Sequence, residues 1–175
     1  MLEIELKAKV SSLEPVRKRL LECHATFCGR VHEHDIYYNA PHRDFSKTDE
    51  ALRVRYVDGD AVVTYKSAKI KNLGLKAREE LNTAIESGEV FEHILARLGF
   101  VKTAEVNKWR ENYRLDNTSI ALDDVEHLGT FVEIEVLAET GTAQATTGIG
   151  RLAKELGVEG EPILQSYLEL LLSRP

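Results

Sequence analysis

Four ionised side chains, Glu3, Glu5, Lys7 and Lys9, alternate with Leu2, Ile4, Leu6 and Ala8 at the start of the chain. Period-two alternation marks a strand with one apolar and one polar face. An ordinary solvated face mixes Thr, Ser, Gln and Asn with its charges, whereas here every polar position is charged. The pattern returns in Arg53 and Arg55, in Arg78 and Glu80, in Lys108 and Arg110, and in Glu133 and Glu135. Carboxylates grouped as Glu3, Glu5, Asp123, Glu133 and Glu135 repel one another unless cations sit between them. Hard divalent ions such as Mg²⁺ or Mn²⁺ prefer oxygen ligands of this kind and bridge them to phosphates. Paired Arg and Lys side chains complement phosphate oxygens, Arg with a two-pronged grip. Acids for a metal and bases for phosphates on one surface point to a polyphosphate substrate.

Three arrangements avoid the prohibitive cost of burying a dozen isolated charges. The faces look out to water, pair internally, or line a wet cavity that receives an oppositely charged ion. A charged strand face is commonly just solvated. The segregation of charge favours the cavity. Arg53/Arg55 and Lys108/Arg110 are uniformly basic, while acids recur at Glu3 and Glu5 and again toward the C-terminal end of the sheet.

The elements that must position these groups follow from periodicity and punctuation. Strands are expected at 1–9, 30–39, 51–57, 61–67, 77–85, 103–115, 119–125 and 130–138. Asp58-Gly59 is a hairpin signal. Ser11-x-x-Glu14 has capping-box spacing and opens a helix that Gly29 closes. Ser87 caps a second helix, whose Val90, Phe91, Ile94, Leu95 and Leu98 share one face and whose end is Gly99. Helices at 143–156 and 162–172 finish the chain. Residues 40–49 and the basic stretch 68–75, with Lys69 and Lys71, read as loops. Short connections make the sheet largely antiparallel, and the helices must cover its apolar faces. The fold class is α+β, and if about eight strands curl round, the charged faces line a barrel interior.

Bulk properties narrow the function. A chain of 175 residues, 43% hydrophobic and 30% charged, suits one domain spanning 1–175 with a substantial core. No apolar run is long enough for a bilayer and no signal peptide is evident, so the cytoplasm is the expected compartment. A net charge of −6 argues against a general nucleic-acid binder. Cys23 and Cys28 fit no zinc spacing and read as packing residues. His32 and His34 share a strand face but lack a third ligand at a diagnostic spacing, so zinc is not expected. Trp109, Tyr37, Tyr38 and Tyr56 read mostly as packing residues.

The order of these elements resembles the CYTH, or triphosphate-tunnel, family. Glu3-x-Glu5-x-Lys7 resembles its ExExK signature, Leu52-Arg53-Val54-Arg55 its basic strand, and Tyr65-Lys66 the strand after it. Arg78-Glu79-Glu80, Lys108-Trp109-Arg110, Leu122-Asp123, Gly129-x-Phe131-Val132-Glu133-Ile134-Glu135 and Ser166-Tyr167 match further elements in sequence order. The run from Asp35-Ile36-Tyr37-Tyr38 to Phe45 is similar to the class IV adenylate cyclase-like subgroup. Asn82 departs from the acidic alternation that many members continue.

This resemblance implies an eight-stranded antiparallel barrel, with helices packed outside, whose tunnel holds a triphosphate and Mg²⁺ or Mn²⁺. Glu3, Glu5, Asp123, Glu133 and Glu135 are then candidate metal ligands. Lys7, Arg53, Arg55, Lys66, Arg78, Lys108 and Arg110 are candidate phosphate contacts, with Lys7, Arg53, Lys108 and Arg110 assigned to the catalytic step. Glu80 is expected to orient Arg78 or another base. The resemblance leads with an adenylate cyclase that converts ATP to cyclic AMP and pyrophosphate. A hydrolase of thiamine, nucleoside or inorganic triphosphate, and a non-catalytic polyphosphate-binding module, stay open beside it. The expected partner is a small triphosphate, with no nucleic acid and no membrane, and the chain is a monomer or homodimer.

Overall fold

The period-two segments become eight strands that close into one barrel, antiparallel at every junction. The computed structural model describes residues 2–70, 76–138 and 142–174. In chain order the first half runs β1 (Leu2–Lys9), α1 (Glu14–Glu22), β2 (Thr26–Asn39), α2 (Phe45–Thr48), β3 (Ala51–Val57) and β4 (Asp60–Lys66). The second half runs β5 (Lys76–Ile85), α3 (Gly88–Arg97), β6 (Val101–Leu115), β7 (Thr118–Val125), β8 (Gly129–Ala138), α4 (Thr142–Glu155) and α5 (Tyr167–Leu172). Around the ring the order is β1-β5-β4-β3-β2-β6-β7-β8, and β8 pairs with β1 along its length. Among the described residues every strand has a neighbour on both sides, so closure leaves no free edge strand to template association with another chain.

Alternation sends apolar side chains outward under the helices. Ile4, Leu6 and Ala8 of β1 join Leu122, Val132 and Ile134 beneath Val16 and Leu20 of α1, Ile149 and Ala153 of α4, and Leu156 just after it. On the other side Phe91 and Leu95 of α3 cover Ile36, Tyr38, Val54 and Val63. Part of the lumen is apolar too. Val106 shares a face with Lys108, and Phe131 with Glu133, and both pack with Val125 against Tyr167, Leu168 and Leu171 of α5. That helix closes the barrel there. No helix among the described residues is long and apolar enough to cross a membrane.

Several expected boundaries move, each for a local reason. Gly29 does not end a helix; it lies inside β2 at φ +127°, where the register against β6 shifts between Phe27 and Gly29. A bulge there needs a residue without Cβ. The strand therefore starts at Thr26, four residues early. The Ser11–Glu14 capping box does not form, because α1 begins at Glu14 with Pro15 in its first turn; Ser12 Oγ instead accepts from Glu14 N at 3.3 Å. A short helix, α2, occupies the expected loop, capped by Asp44. The last helix starts at Tyr167 rather than 162, because Ile163 N is tied to Lys7 O at 2.8 Å and Ser166 forms a capping box with Glu169. Asp58 and Gly59, both at positive φ, make the expected hairpin turn. Of the basic stretch, Lys69 is described, whereas Lys71 and the residues to 75 lie outside the described set.

The helix α3 buries only part of its expected face. Leu95 is buried and Phe91 half-buried, but Val90, Ile94 and Leu98 stand 57%, 48% and 63% exposed. Leu95→Ala should therefore cost about 3 kcal/mol, as truncations in a packed core do, while Ile94→Ala in dilute protein should cost less than about 1 kcal/mol. Urea unfolding of the two variants measures the contrast; equal losses would mean that α3 packs with a different face.

Candidate active site

Strand register alone sets acids against bases across the inner wall. Glu3 lies opposite Arg78, Lys7 opposite Glu133, Asp35 opposite Arg55, Glu33 opposite Lys108, Lys66 opposite Glu80, and Arg110 opposite Asp123. Directly opposed side chains share a face and interact. All of them except Glu33 and Asp123 line a cavity of about 130 Å³. Seven cations line it: Lys7, Arg53, Arg55, Lys66, Arg78, Lys108 and Arg110. Six carboxylates face them: Glu3, Glu5, Asp35, Glu80, Glu133 and Glu135. The expected phosphate contacts all reach this one space, and so do four of the five expected metal ligands.

The charges divide between opposite walls. On β3, β2 and β6, Arg55 grips Asp35 with Nε and Nη2 at 2.6 and 2.8 Å, and Arg53 Nη1 reaches the same carboxylate at 3.3 Å. Lys108 Nζ lies 2.6 Å from Glu33 and 3.4 Å from Asp35. Burial alone would raise the Asp35 carboxyl, but Arg53, Lys108 and Arg55 hold it well below the usual range. Glu33 is lowered in the same way, with Arg110, Lys108 and Arg55 outweighing burial. Burial also lowers the Lys108 ammonium from its ordinary value.

The wall formed by β8, β1 and β5 is acidic. Glu3 is pushed up to about 9, first by burial and then by its hydrogen bond with Glu80. Glu80 itself is held below the ordinary range, because the Glu3 hydrogen bond and Lys66 outweigh its burial. The pair shares one proton. Glu135 is raised by burial and by Glu5, Glu133 and Glu80 around it. Lys66 touches Glu80 and lies 3.7 Å from Glu3, so Glu80 holds Lys66; Arg78 instead donates to the Asp49 carbonyl at 3.1 Å.

Three of the expected ligands are paired with other side chains in this arrangement. Glu133 and Glu5 converge on the ammonium of Lys7, each 3.2 Å from Nζ, which also donates to the Gln165 carbonyl. Asp123 is fully buried and does not line the cavity. Arg110 donates to its two oxygens at 2.7 and 2.5 Å, and the Tyr167 hydroxyl donates at 2.7 Å. In this structure Asp123 fixes Arg110, which reaches on to Glu133.

A divalent cation fits the acidic wall by its chemistry. The donors are all carboxylate oxygens, which suits Mg²⁺ or Mn²⁺ better than Zn²⁺. The raised carboxyls of Glu3 and Glu135 mark a place where negative charge is under-compensated. Among the described residues no three acidic, histidine or cysteine side chains already meet at one point, so Glu3, Glu5, Glu80 and Glu135 would close around an ion only on binding it. Charge balance points the same way. With Glu3 protonated, the seven cations face five charged carboxylates, about two positive charges in excess, and a triphosphate of about four negative charges needs further positive charge to enter with it.

The structure adds site residues that periodicity did not single out: Glu33, Asp35, Tyr37 and Ser166. Tyr37 and Ser166 line both the cavity and a neighbouring apolar chamber of about 250 Å³ bounded by Phe45, Leu52, Leu168 and Leu172. Lys69 ties this entrance together, its Nζ lying 2.8 Å from both Asp49 and Glu169. Trp109 is 46% exposed on the outside of the barrel with Arg30 and His32 against its ring. Its charged neighbours Lys108 and Arg110 point inward.

The family model for the CYTH domain matches residues 1–167. The chain belongs to the CYTH family. Its ExExK residues are the β1 side chains that face the cavity. This CYTH chain is 36% identical over 173 residues to a Methanocaldococcus jannaschii protein whose name proposes an adenylate cyclase, covering 97% of this chain and 98% of that one. The PH1819 protein from Pyrococcus horikoshii superposes with a TM-score of 0.88 at 38% identity, over 97% of this chain and 98% of the other. A Hippeastrum protein described as an adenylyl cyclase candidate with a dominant triphosphatase activity shares the fold, with a TM-score of 0.72 at 20% identity, over 98% and 95% of the two chains.

Removing one partner of a buried ion pair costs several kcal/mol because the other charges are left uncompensated. Asp35→Asn should therefore destabilise the CYTH barrel by about 3 kcal/mol near neutral pH. The stability that a depressed carboxyl contributes is complete above its unfolded value, 3.8, and is lost as pH falls toward its lower folded value. The stability gap between wild type and Asp35→Asn, followed by urea unfolding, should stay constant from pH 7 to about pH 5 and narrow only in stronger acid. A gap that closes already near pH 6 would refute the pairing.

Proposed function

We propose that this CYTH protein is a divalent-cation-dependent enzyme that acts on a triphosphate, converting ATP to cyclic AMP and pyrophosphate. The observation that carries the reading is the division of one cavity into a basic wall on β3, β2 and β6 and a crowded acidic wall on β8, β1 and β5. Arg53, Arg55 and Arg110 exchange carboxylate oxygens for phosphate oxygens of similar geometry, so they bind the chain of phosphates without first being built. Lys7 and Lys108 add point charges from β1 and β6. Glu3, Glu5, Glu80 and Glu135 would hold Mg²⁺ or Mn²⁺, which supplies charge neutralisation at the phosphate oxygens. The apolar chamber beside Tyr37 and Ser166 receives the nucleoside. The ribose 3′ oxygen then bonds to the α-phosphorus as the bond to the bridging oxygen breaks; pyrophosphate leaves and the hydroxyl proton is lost to solvent. The name of the Methanocaldococcus relative supports this choice.

A triphosphatase, with water attacking the terminal phosphorus, is the second reading. One detail favours it. Asn39, the carboxamide lining the chamber, has its Oδ1 filled by Ala40 N and Phe45 N and one Nδ2 hydrogen given to Asp44, so it cannot make the paired donor–acceptor contact that reads an adenine edge. The activity described for the Hippeastrum protein agrees with this alternative.

The two readings separate in one assay, incubating ATP labelled at the α-phosphorus, tripolyphosphate and thiamine triphosphate with Mg²⁺ or Mn²⁺ and resolving the products. Cyclic AMP is the expected product. Labelled ADP, or orthophosphate from the other two substrates, would replace the cyclase with a hydrolase, and binding without turnover would make the protein a polyphosphate-binding module. Glu3→Gln imitates the protonated carboxyl, so it should change folding stability by less than about 0.5 kcal/mol. It should nevertheless raise the Mg²⁺ concentration for half-maximal turnover by about tenfold or more. In wild type, Mg²⁺ binding should release a proton and tighten as pH rises toward the value of about 9 at which Glu3 ionises. Calorimetry in buffers of different ionisation enthalpy reads that release, and pH-independent binding would remove Glu3 from the metal site.

A further inference from the structure

Tyr167 carries no charge, yet it stands beside three cations of the cavity, and the chain delivers it there by a fixed route. Ile163 N donates to the Lys7 carbonyl at 2.8 Å, and the Gln165 carbonyl accepts from Lys7 Nζ at 3.2 Å, so this segment is tied to β1 through both backbone and side chain. The capping box of Ser166 and Glu169 then starts α5, with Tyr167 as its first residue. The ring is 6% exposed and meets Phe131 edge-on, the centroids 5.1 Å apart. Lys7 Nζ lies 4.3 Å from the ring centroid and Lys108 Nζ 5.7 Å, both within the range at which a cation is attracted to an aromatic ring. The hydroxyl donates to Asp123 Oδ2 at 2.7 Å, the same oxygen that accepts from Arg110 Nη2.

Packing accounts for the ring but not for the hydroxyl. A phenylalanine would fill the same space against Val106, Phe131 and Leu171, and burying a hydroxyl is unfavourable unless it is hydrogen-bonded. Burial first, and then Glu133 and Asp123, raise this hydroxyl well above its ordinary range, so it stays a donor. Asp123 is fully buried, and its orientation is set by the donors around it, two from Arg110 and one from Tyr167. Without the hydroxyl, the Asp123–Arg110 pair could pivot as a unit toward Glu133, which Arg110 already reaches. We propose that Tyr167 is a positioning residue for triphosphate binding: its hydroxyl pins Asp123, and Asp123 in turn aims the Arg110 guanidinium into the cavity. This rests on the reading of the cavity as a triphosphate site. It gives α5 a part in binding beyond closing the barrel.

Calorimetry on the full chain with Mg²⁺ and a tripolyphosphate whose two bridging oxygens are replaced by CH₂ tests this, because that probe cannot be hydrolysed at its bridges. Tyr167→Phe keeps the ring and its packing and removes the donor. Its affinity for the probe should fall about tenfold, as for the loss of one hydrogen bond to a charged group. A general loosening of the site would also weaken binding, so the deciding measurement is a double-mutant cycle with Arg110→Lys. That variant keeps the positive charge beside Asp123 and Glu133 but loses the two-pronged grip. If Tyr167 acts through Arg110, adding Tyr167→Phe to Arg110→Lys should weaken binding by less than about twofold further. Losses that multiply instead would make the hydroxyl independent of Arg110 and overturn the proposal, as would a Tyr167→Phe variant that binds like wild type. A wild type that does not bind the probe at all would remove the triphosphate reading itself, and this proposal with it.

Discussion

The barrel depends on keeping ionised groups inside a closed sheet without leaving any of them alone. Moving a charge out of water costs several kcal/mol even after relaxation, and the cost is recovered only with an opposite charge in good geometry. Antiparallel register supplies the partners, because it fixes which inward side chain of one strand faces which of the next. Lys7 meets Glu133 and Arg55 meets Asp35 for no reason beyond strand pairing. A slip of one residue would turn every charged side chain outward and every apolar one into the lumen. Register, and with it the fold, is therefore specified by electrostatics on one face and by helix cover on the other.

The same constraint orients the basic side chains before anything binds. Arg53, Arg55, Lys108 and Arg110 are held in place by Asp35, Glu33 and Asp123, so a phosphate oxygen finds them already oriented. On the opposite wall compensation is incomplete, and Glu3 keeps a proton instead. One over-determined wall and one under-compensated wall are what the proposed function rests on, since a ligand carrying both signs, an anion accompanied by a metal ion, would suit both.

Much of this was legible in the sequence, and the failures have physical causes. Strands with one apolar and one ionised face, such as β1 and β8, declare their orientation. The strand β2 does not: its outward residues Arg30, His32 and His34 are as polar as its inward Glu33 and Asp35, so alternation gives no sign of which face is buried. Those two carboxylates, which organise the basic wall, were missed for that reason. Asp123 carries the right charge on the right face, but only the arrival of Tyr167 from a segment 44 residues later decides that its oxygens are occupied. Gly29 looks like a stop signal because a glycine that ends a helix and a glycine that permits a bulge are the same residue read without its partner strand. The periodicity of α3 correctly gives a helix, yet a stripe wide enough for a core face gives no measure of how much barrel lies beneath it.

The seam between β1 and β8 has a consequence for how the chain is made. The first strand to leave the ribosome pairs with β8, about 130 residues downstream, and its outer face waits for α4, later still. Until then Ile4, Leu6 and Ala8 lack the cover of α4, and Lys7 lacks Glu133, its partner across the β1–β8 seam. Contacts of such long sequence separation make folding slow, because the loop-closure entropy must be met before they form. Until β8 and α4 are made, β1 is thus an unpaired, half-apolar strand, and it is the segment that most needs protection from other chains.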